Sequence, residues 1–265
     1  MPAQSHVLQP NAAQGRLSVG VRELLKQSET VVGAVRDCRR LVASLRAAEQ
    51  RAVERSDPAS ISRRYLASAP VKKLQLGTGD TVVMPGWLGS DISPLFKETM
   101  HLDATKPFPF PDATFDYVYS EHMIEHIPWR DGLRMLKECR RVLKPAGVLR
   151  VATPDLVVMA GLLTDQREIA RRYVEWLQDF ALRGSVPIRS TAFAINIAFH
   201  SFGHKFLYDE KTLELTMRLA GFNATRRCAP SQSDDPHLAG IEAHGVNVGA
   251  REMGDFETMV IEATA

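Results

Sequence analysis

The sequence predicts a layered α/β fold built on a mainly parallel sheet. From residue 71 onward, short apolar runs alternate with helical stretches. A strand followed by a helix returns to its own sheet by a right-handed crossover, so neighbouring strands become parallel. Lys144-Pro145-Ala146-Gly147 and Gly221 stop two of the helical stretches. No internal repeat is present.

The elements follow in order. Residues 1–15 are small and polar and are expected to be disordered. Over residues 16–56, Leu17, Val21, Leu24, Val31, Val35, Cys38, Val42, Leu45 and Ala52 recur at steps of four and three, with Ser28 and Glu49 filling the gaps. That period is the seam of a coiled coil or of a helix docked on a helical partner. The narrow stripe and the Arg-rich polar faces favour an arm that could form a homodimer. Gly33 weakens such a helix by ~1 kcal/mol, and Asp57-Pro58 is expected to end it. Strands are expected at 72–77, 86–92, 100–104, 115–121, 148–155, 222–228 and 256–263; helices are expected at 130–143, 156–182 and 209–222. The expected division is a disordered start and helical arm over 1–65, then one domain over 66–265.

Composition bounds the function. The chain has 265 residues, 45% of them hydrophobic and 24% charged, as in an ordinary globular protein. A net charge of +2 gives no basic surface for nucleic acid. Cys38, Cys139 and Cys228 are too far apart for a metal knuckle and suit a reducing cytoplasm. No apolar run reads as a signal peptide or spans a membrane, which takes ~20 residues, so no membrane partner is expected.

In an open parallel sheet, ligands sit beyond the carboxyl ends of the strands. "LGTGD" follows the first strand, and Gly77 and Gly79 permit a tight turn and close approach to the backbone. Asp91 follows the second strand, where a carboxylate accepts ribose hydroxyls. Only 14 positions separate Gly77 from Asp91, against about 20 in the dinucleotide fingerprint. The connection is therefore a loop with no long helix N-terminus for a pyrophosphate, and a nucleoside without phosphates is the better ligand. Asp103 follows the third strand and is placed to accept from an exocyclic amine.

"KLQLGTGD…GWLGSDI", "MHLDATKPFPFPDATFDYVYSEHMIEHI" and "MLKECRRVLKPAGVLRVATPDL" together resemble class I S-adenosylmethionine (SAM)-dependent methyltransferases. The closest resemblance is to the bacterial methyltransferase-domain, type 11-like group. It covers residues 70–265 and is weaker beyond 156. It implies a Rossmann-like sheet of seven strands with the last antiparallel, and SAM as cofactor. It implies Gly77, Thr78 and Gly79 under the methionine part and Asp91, with Ile92 beside it, on the ribose. Leu102, Asp103 and Ala104 would surround the adenine, with Ser120 and Glu121 beside the sulfonium. Ala146 stands where the group has the first Gly of "PGG", a mild departure.

"SEHMIEHI" also contains H-x-x-E-H, a zinc signature. His122 and His126 would then be ligands and Glu125 a base. No clear third ligand stands on a nearby helix after residue 156, so no metal is expected. The preferred reading places His122 at the mouth of the pocket and makes His126 structural. A hydroxyl nucleophile needs a base, and His122, His200 and His204 are the candidates. His200 and His204 belong to a substrate-side segment near 184–208, and a second such segment spans 229–255, with His237, Glu242 and His244 as further candidates. Glu-His-Met-Ile at 121–124 is not the N-P-P-Y type motif used on nucleobase or glutamine amino groups. The expectation is cytoplasmic O-methylation of a sugar or small natural product. The alternatives are a same-fold SAM-binding enzyme that transfers no methyl, and a non-catalytic protein assembling through the 16–56 helix.

Overall fold

The computed structural model describes residues 58–81, 83–182 and 189–265. The helical period at 16–56 lies outside these residues. The central strands are the apolar runs of the sequence: β1 (Lys73–Leu76), β4 (Phe115–Glu121) and β5 (Leu143–Pro154). Leu74, Leu76, Val118, Leu149 and Val151 are almost wholly buried, as expected of strands covered on both faces. β2 (Leu88–Asp91) and β3 (Met100–His101) extend the sheet on one side, and β7 (Thr258–Thr264) and β6 (Ala224–Cys228) on the other. The seven-stranded order is β3-β2-β1-β4-β5-β7-β6. β7 runs antiparallel to both its neighbours, and the remaining pairs are parallel. The chain order reverses between β1 and β4, the switch point at which open sheets bind ligands.

Helices flank this sheet. α1 (Pro58–Ser68) is already part of the packed structure: Ile61, Tyr65 and Leu66 lie against the main core. The Tyr65 hydroxyl accepts from the Lys73 amide at 2.8 Å and donates to the Gly86 carbonyl at 2.9 Å. Pro58 opens this helix, because a first-turn proline lacks only an N–H that has no helical partner. α2 (Trp129–Val142) buries Met135, Leu136, Cys139 and Val142, and carries Asp131 in its first turn and Arg140 and Arg141 in its last, matching the helix dipole. Its C-terminal stop is strained. Ala146, near the start of β5, adopts φ 62°, a conformation that suits glycine.

The expected helix at 156–182 is two helices, α3 (Leu156–Gly161) and α4 (Glu168–Leu182). Asp165 breaks it, its carboxylate accepting from the Arg167 amide at 2.9 Å just ahead of α4. α5 (Thr191–His200) forms from the apolar run around "AFAINIAF", and α6 (Glu210–Leu219) is capped by Asp209, which accepts from the Thr212 amide. The long connection before β7 folds into α7 (His244–Asn247) and α8 (Arg251–Glu257). α3, α4, α5 and α8 share a second core around Met159, Tyr173, Leu177, Ile197 and Met253. No described helix is long and apolar enough to cross a membrane.

Candidate functional site

The chain beyond β1 turns through Gly77 at φ 74° and Gly79 at φ 57°. A Cβ on Gly77 would stand 2.6 Å from the Met123 side chain, so this position needs glycine for space as well as for backbone angle. No helix forms among the described residues between β1 and β2, as the short spacing requires. The Asp91 carboxylate ties the turn together: one oxygen accepts from the Gly79 amide at 2.9 Å and the other from the Ser93 amide at 2.8 Å. Each oxygen retains acceptor capacity for a hydroxyl.

A cavity of about 220 Å³ opens at the ends of β1, β2 and β3. Gly77, Asp91, Ile92, Leu102, Asp103 and Ala104 line it, all of them residues the sequence singled out. The Asp103 carboxylate is held below the usual carboxylate range by bonds from the Thr105 hydroxyl and amide. Thr78, Gly79, Ser120 and Glu121 are outside the lining. Two of these carry orphaned polar atoms at the switch point: the hydroxyls of Thr78 and Ser120 are buried and have no hydrogen-bond partner. Glu121 instead grips the 229–255 connection, accepting from the amides of Ala243 and His244 at 2.9 and 2.8 Å.

A second cavity of about 240 Å³ lies beyond β4 and β5, against the second core. Tyr173, Trp176, Phe180 and Phe202 supply aromatic walls, and His122 and His204 face into it. His200 does not: it sits exposed at the end of α5. His122 has φ 44°. Its Nε2 lies 3.0 Å from the Thr258 hydroxyl and its Nδ1 3.4 Å from Glu125. Burial disfavours a charged ring there, but the carboxylates of Glu125, Glu257 and Glu121 outweigh it and hold the His122 pKa above the ordinary histidine value. Burial moves His126 the other way. The sequence expected His126 to be structural and near the surface; it lines both cavities.

Other candidates serve the fold. Glu242 and Glu262 both bind the fully buried Arg150, each at 2.6 Å. His237 lies against Tyr117, 5.1 Å between ring centroids. No clear third ligand on a nearby helix was expected after residue 156, yet other side chains come beside the H-x-x-E-H motif. His204 comes beside Glu125 and His126, and His244 and Glu257 come beside His122. They arrive from α7, α8 and the loop after α5, elements too distant in sequence for any spacing rule to join. Tyr173, Trp176 and Phe180 were also missed, although their steps of three and four within one helix were a readable signal.

A methyltransferase-domain model matches residues 89–151. A probable S-adenosylmethionine-dependent methyltransferase of Mycobacterium tuberculosis is 42% identical over 52 residues, which is 20% of this chain and 18% of that protein. A similarly named protein of Mycolicibacterium smegmatis is 42% identical over 52 residues, 20% of each chain. The match thus spans about a fifth of the length of these relatives. An S-adenosylmethionine-dependent methyltransferase structure from Mesorhizobium loti is 16% identical, with a TM-score of 0.45 over 77% of this chain and 96% of that one. The matched segment runs from β2 to β5, through the Asp91 end, the Asp103 end and the switch point. Over residues 89–151 the chain is thus similar to the methyltransferase domain, the segment that carries Asp91, Asp103 and the switch point.

Proposed function

We propose that the protein transfers the methyl group of SAM to a hydroxyl of a small natural product or sugar. One observation carries this reading: His126 lines both the cavity at the ends of β1–β3 and the aromatic cavity beyond β4. A cofactor in the first and an acceptor in the second would meet at the switch point.

The residues present fit SAM. Asp91 would hold the ribose hydroxyls, Asp103 with Leu102 and Ala104 would surround the adenine, and the Gly77 turn would admit the methionine part. The orphaned Ser120 and Thr78 hydroxyls offer further polar contacts. Bound SAM supplies a methyl on a sulfonium that departs as a neutral thioether. The protein's task is then to align acceptor oxygen, methyl and sulfur and to exclude water. The aromatic walls suit an acceptor with a planar or apolar body, or a sugar stacked by one face. His122 is the proposed proton acceptor, since its ring faces that cavity.

The period at 16–56 supports a homodimer through that segment, and the free Cys139 and Cys228 support a reducing, cytoplasmic setting. The test is an acceptor screen that detects S-adenosylhomocysteine. A methylated oxygen product with a hydroxylated acceptor is expected. SAM binding with no S-adenosylhomocysteine from any acceptor would favour a same-fold enzyme that transfers no methyl.

A further inference from the structure

We propose that Glu125, His126 and His204 form a three-ligand site for one divalent transition-metal ion, of the zinc or cobalt type. The proposal rests on the two-cavity reading above, because the site lies on the wall they share. Each of the three side chains offers one ligand atom, and these atoms lie within 4.8 Å of one another. In a tetrahedral zinc site with bonds near 2.0–2.1 Å, ligand atoms stand about 3.3 Å apart. The widest pair therefore has to close by up to about 1.5 Å, within the reach of side-chain rotation.

Two further observations point to a cation. The first is Glu125. Its side chain is fully buried, and Oε1 makes no hydrogen bond. Its one ion-pair partner among the described residues is the His122 ring nitrogen, at a long 3.4 Å. At that separation the oxygen keeps acceptor capacity that a metal ion could fill beside or in place of the His122 contact. The second is the outer arrangement. Glu125 Oε2 accepts from the buried Thr153 hydroxyl at 3.0 Å. His204 Nδ1 lies 2.6 Å from the Ala198 carbonyl, an acceptor only, so Nδ1 carries the proton and Nε2 keeps the lone pair. Metal-binding histidines and carboxylates are oriented in this way by carbonyls and hydroxyls behind them.

Two imidazoles and one carboxylate select a first-row transition metal over calcium or magnesium. Three protein ligands leave a fourth position, as in catalytic rather than structural sites. That position opens on the shared wall, where an oxygen of the acceptor could bind. The neighbouring set of His122, His244 and Glu257 also falls within 4.8 Å. It is the weaker candidate, since Glu257 accepts from the Tyr173 hydroxyl and His122 is turned toward Thr258 and Glu125.

The experiment is metal analysis and Co²⁺ titration of full-length protein after chelator treatment, followed by visible absorption, with SAM titration of the same samples. One equivalent of Co²⁺ with tetrahedral-type absorption is expected, weakened at least tenfold in His204→Ala and in Glu125→Gln, with SAM affinity retained in His204→Ala. Because Glu125 is buried, its variant counts only if its melting is cooperative; His204→Ala, at a partly exposed loop, decides otherwise. Absence of stoichiometric Co²⁺ binding, or binding lost in His244→Ala but kept in His204→Ala, would overturn the proposal. Intact SAM binding without metal overturns the metal site alone, whereas metal binding without SAM binding overturns the methyl-transfer reading.

Discussion

His122 stacks face to face on His244, with ring centroids 3.8 Å apart and planes 15° from parallel. The contact joins the end of β4 to the connection that precedes β7. Glu121, one residue earlier, fastens the same connection by accepting its two amides. The carboxyl end of β4 is thus built to hold the 229–255 segment over the aromatic cavity.

Glu121→Ala should loosen that segment. Two backbone donors lose their acceptor, and the variant should lose about 1–3 kcal/mol of stability. Hydrogen exchange at 243–248 should rise while SAM affinity stays close to wild type. A large loss of SAM affinity with unchanged exchange would place Glu121 at the sulfonium instead.

Gly77→Ala should fail in two ways at once. Its φ of 74° strains any side chain, and the added methyl meets Met123 at 2.6 Å. A loss of about 1–3 kcal/mol is expected by chemical denaturation, with weakened SAM binding. Ala146→Gly is the converse. Relieving φ 62° at this exposed position of β5 should stabilise by about 1 kcal/mol. The departure from "PGG" should therefore be measurable in stability.

Much of the architecture was legible because it rests on local pattern. The runs at 115–121 and 148–155 read as strands because they are apolar and β-branched, and they form the centre of the sheet. Gly77, Asp91 and Asp103 line one cavity, as their places at strand ends suggested, because strand ends are fixed once strands are fixed. What the sequence hid came from packing at a distance. Glu121 read as a pocket residue, yet its acceptors are filled by amides more than a hundred residues away. His126, His204, His244 and Glu257 meet only because α7, α8 and the loop after α5 fold back over β4. The split of 156–182 falls at the local turn that Asp165 makes with the Arg167 amide, inside an otherwise helical pattern.

Arg150 should be the most sensitive charged residue. It is fully buried between Glu242 and Glu262, and Arg150→Ala strips Glu242 of its cation while Glu262 keeps Arg226. A loss of about 3–5 kcal/mol is expected on denaturant unfolding. A loss below about 1 kcal/mol would show the pair to be solvated.

Glu138 gives a pH signature. Bonds from Arg141 hold its carboxyl below the usual range, with the Phe108 amide as a further donor at 2.6 Å. A depressed carboxylate stabilises the fold above its unfolded pKa of about 4.3, and the contribution is lost as pH falls through the lower folded value. Glu138→Gln should therefore be less stable than wild type at neutral pH and should show a flatter stability curve below about pH 4.3. Parallel curves for the two proteins would contradict the pairing.

The most direct test of the central claim is calorimetric titration of the full-length protein with SAM and S-adenosylhomocysteine, beside Asp91→Ala. The account predicts saturable binding of both, weakened more than tenfold in the variant, since a hydrogen bond to a charged acceptor is worth about 1.5–3 kcal/mol. No binding of either ligand, or equal affinity in Asp91→Ala, would contradict it.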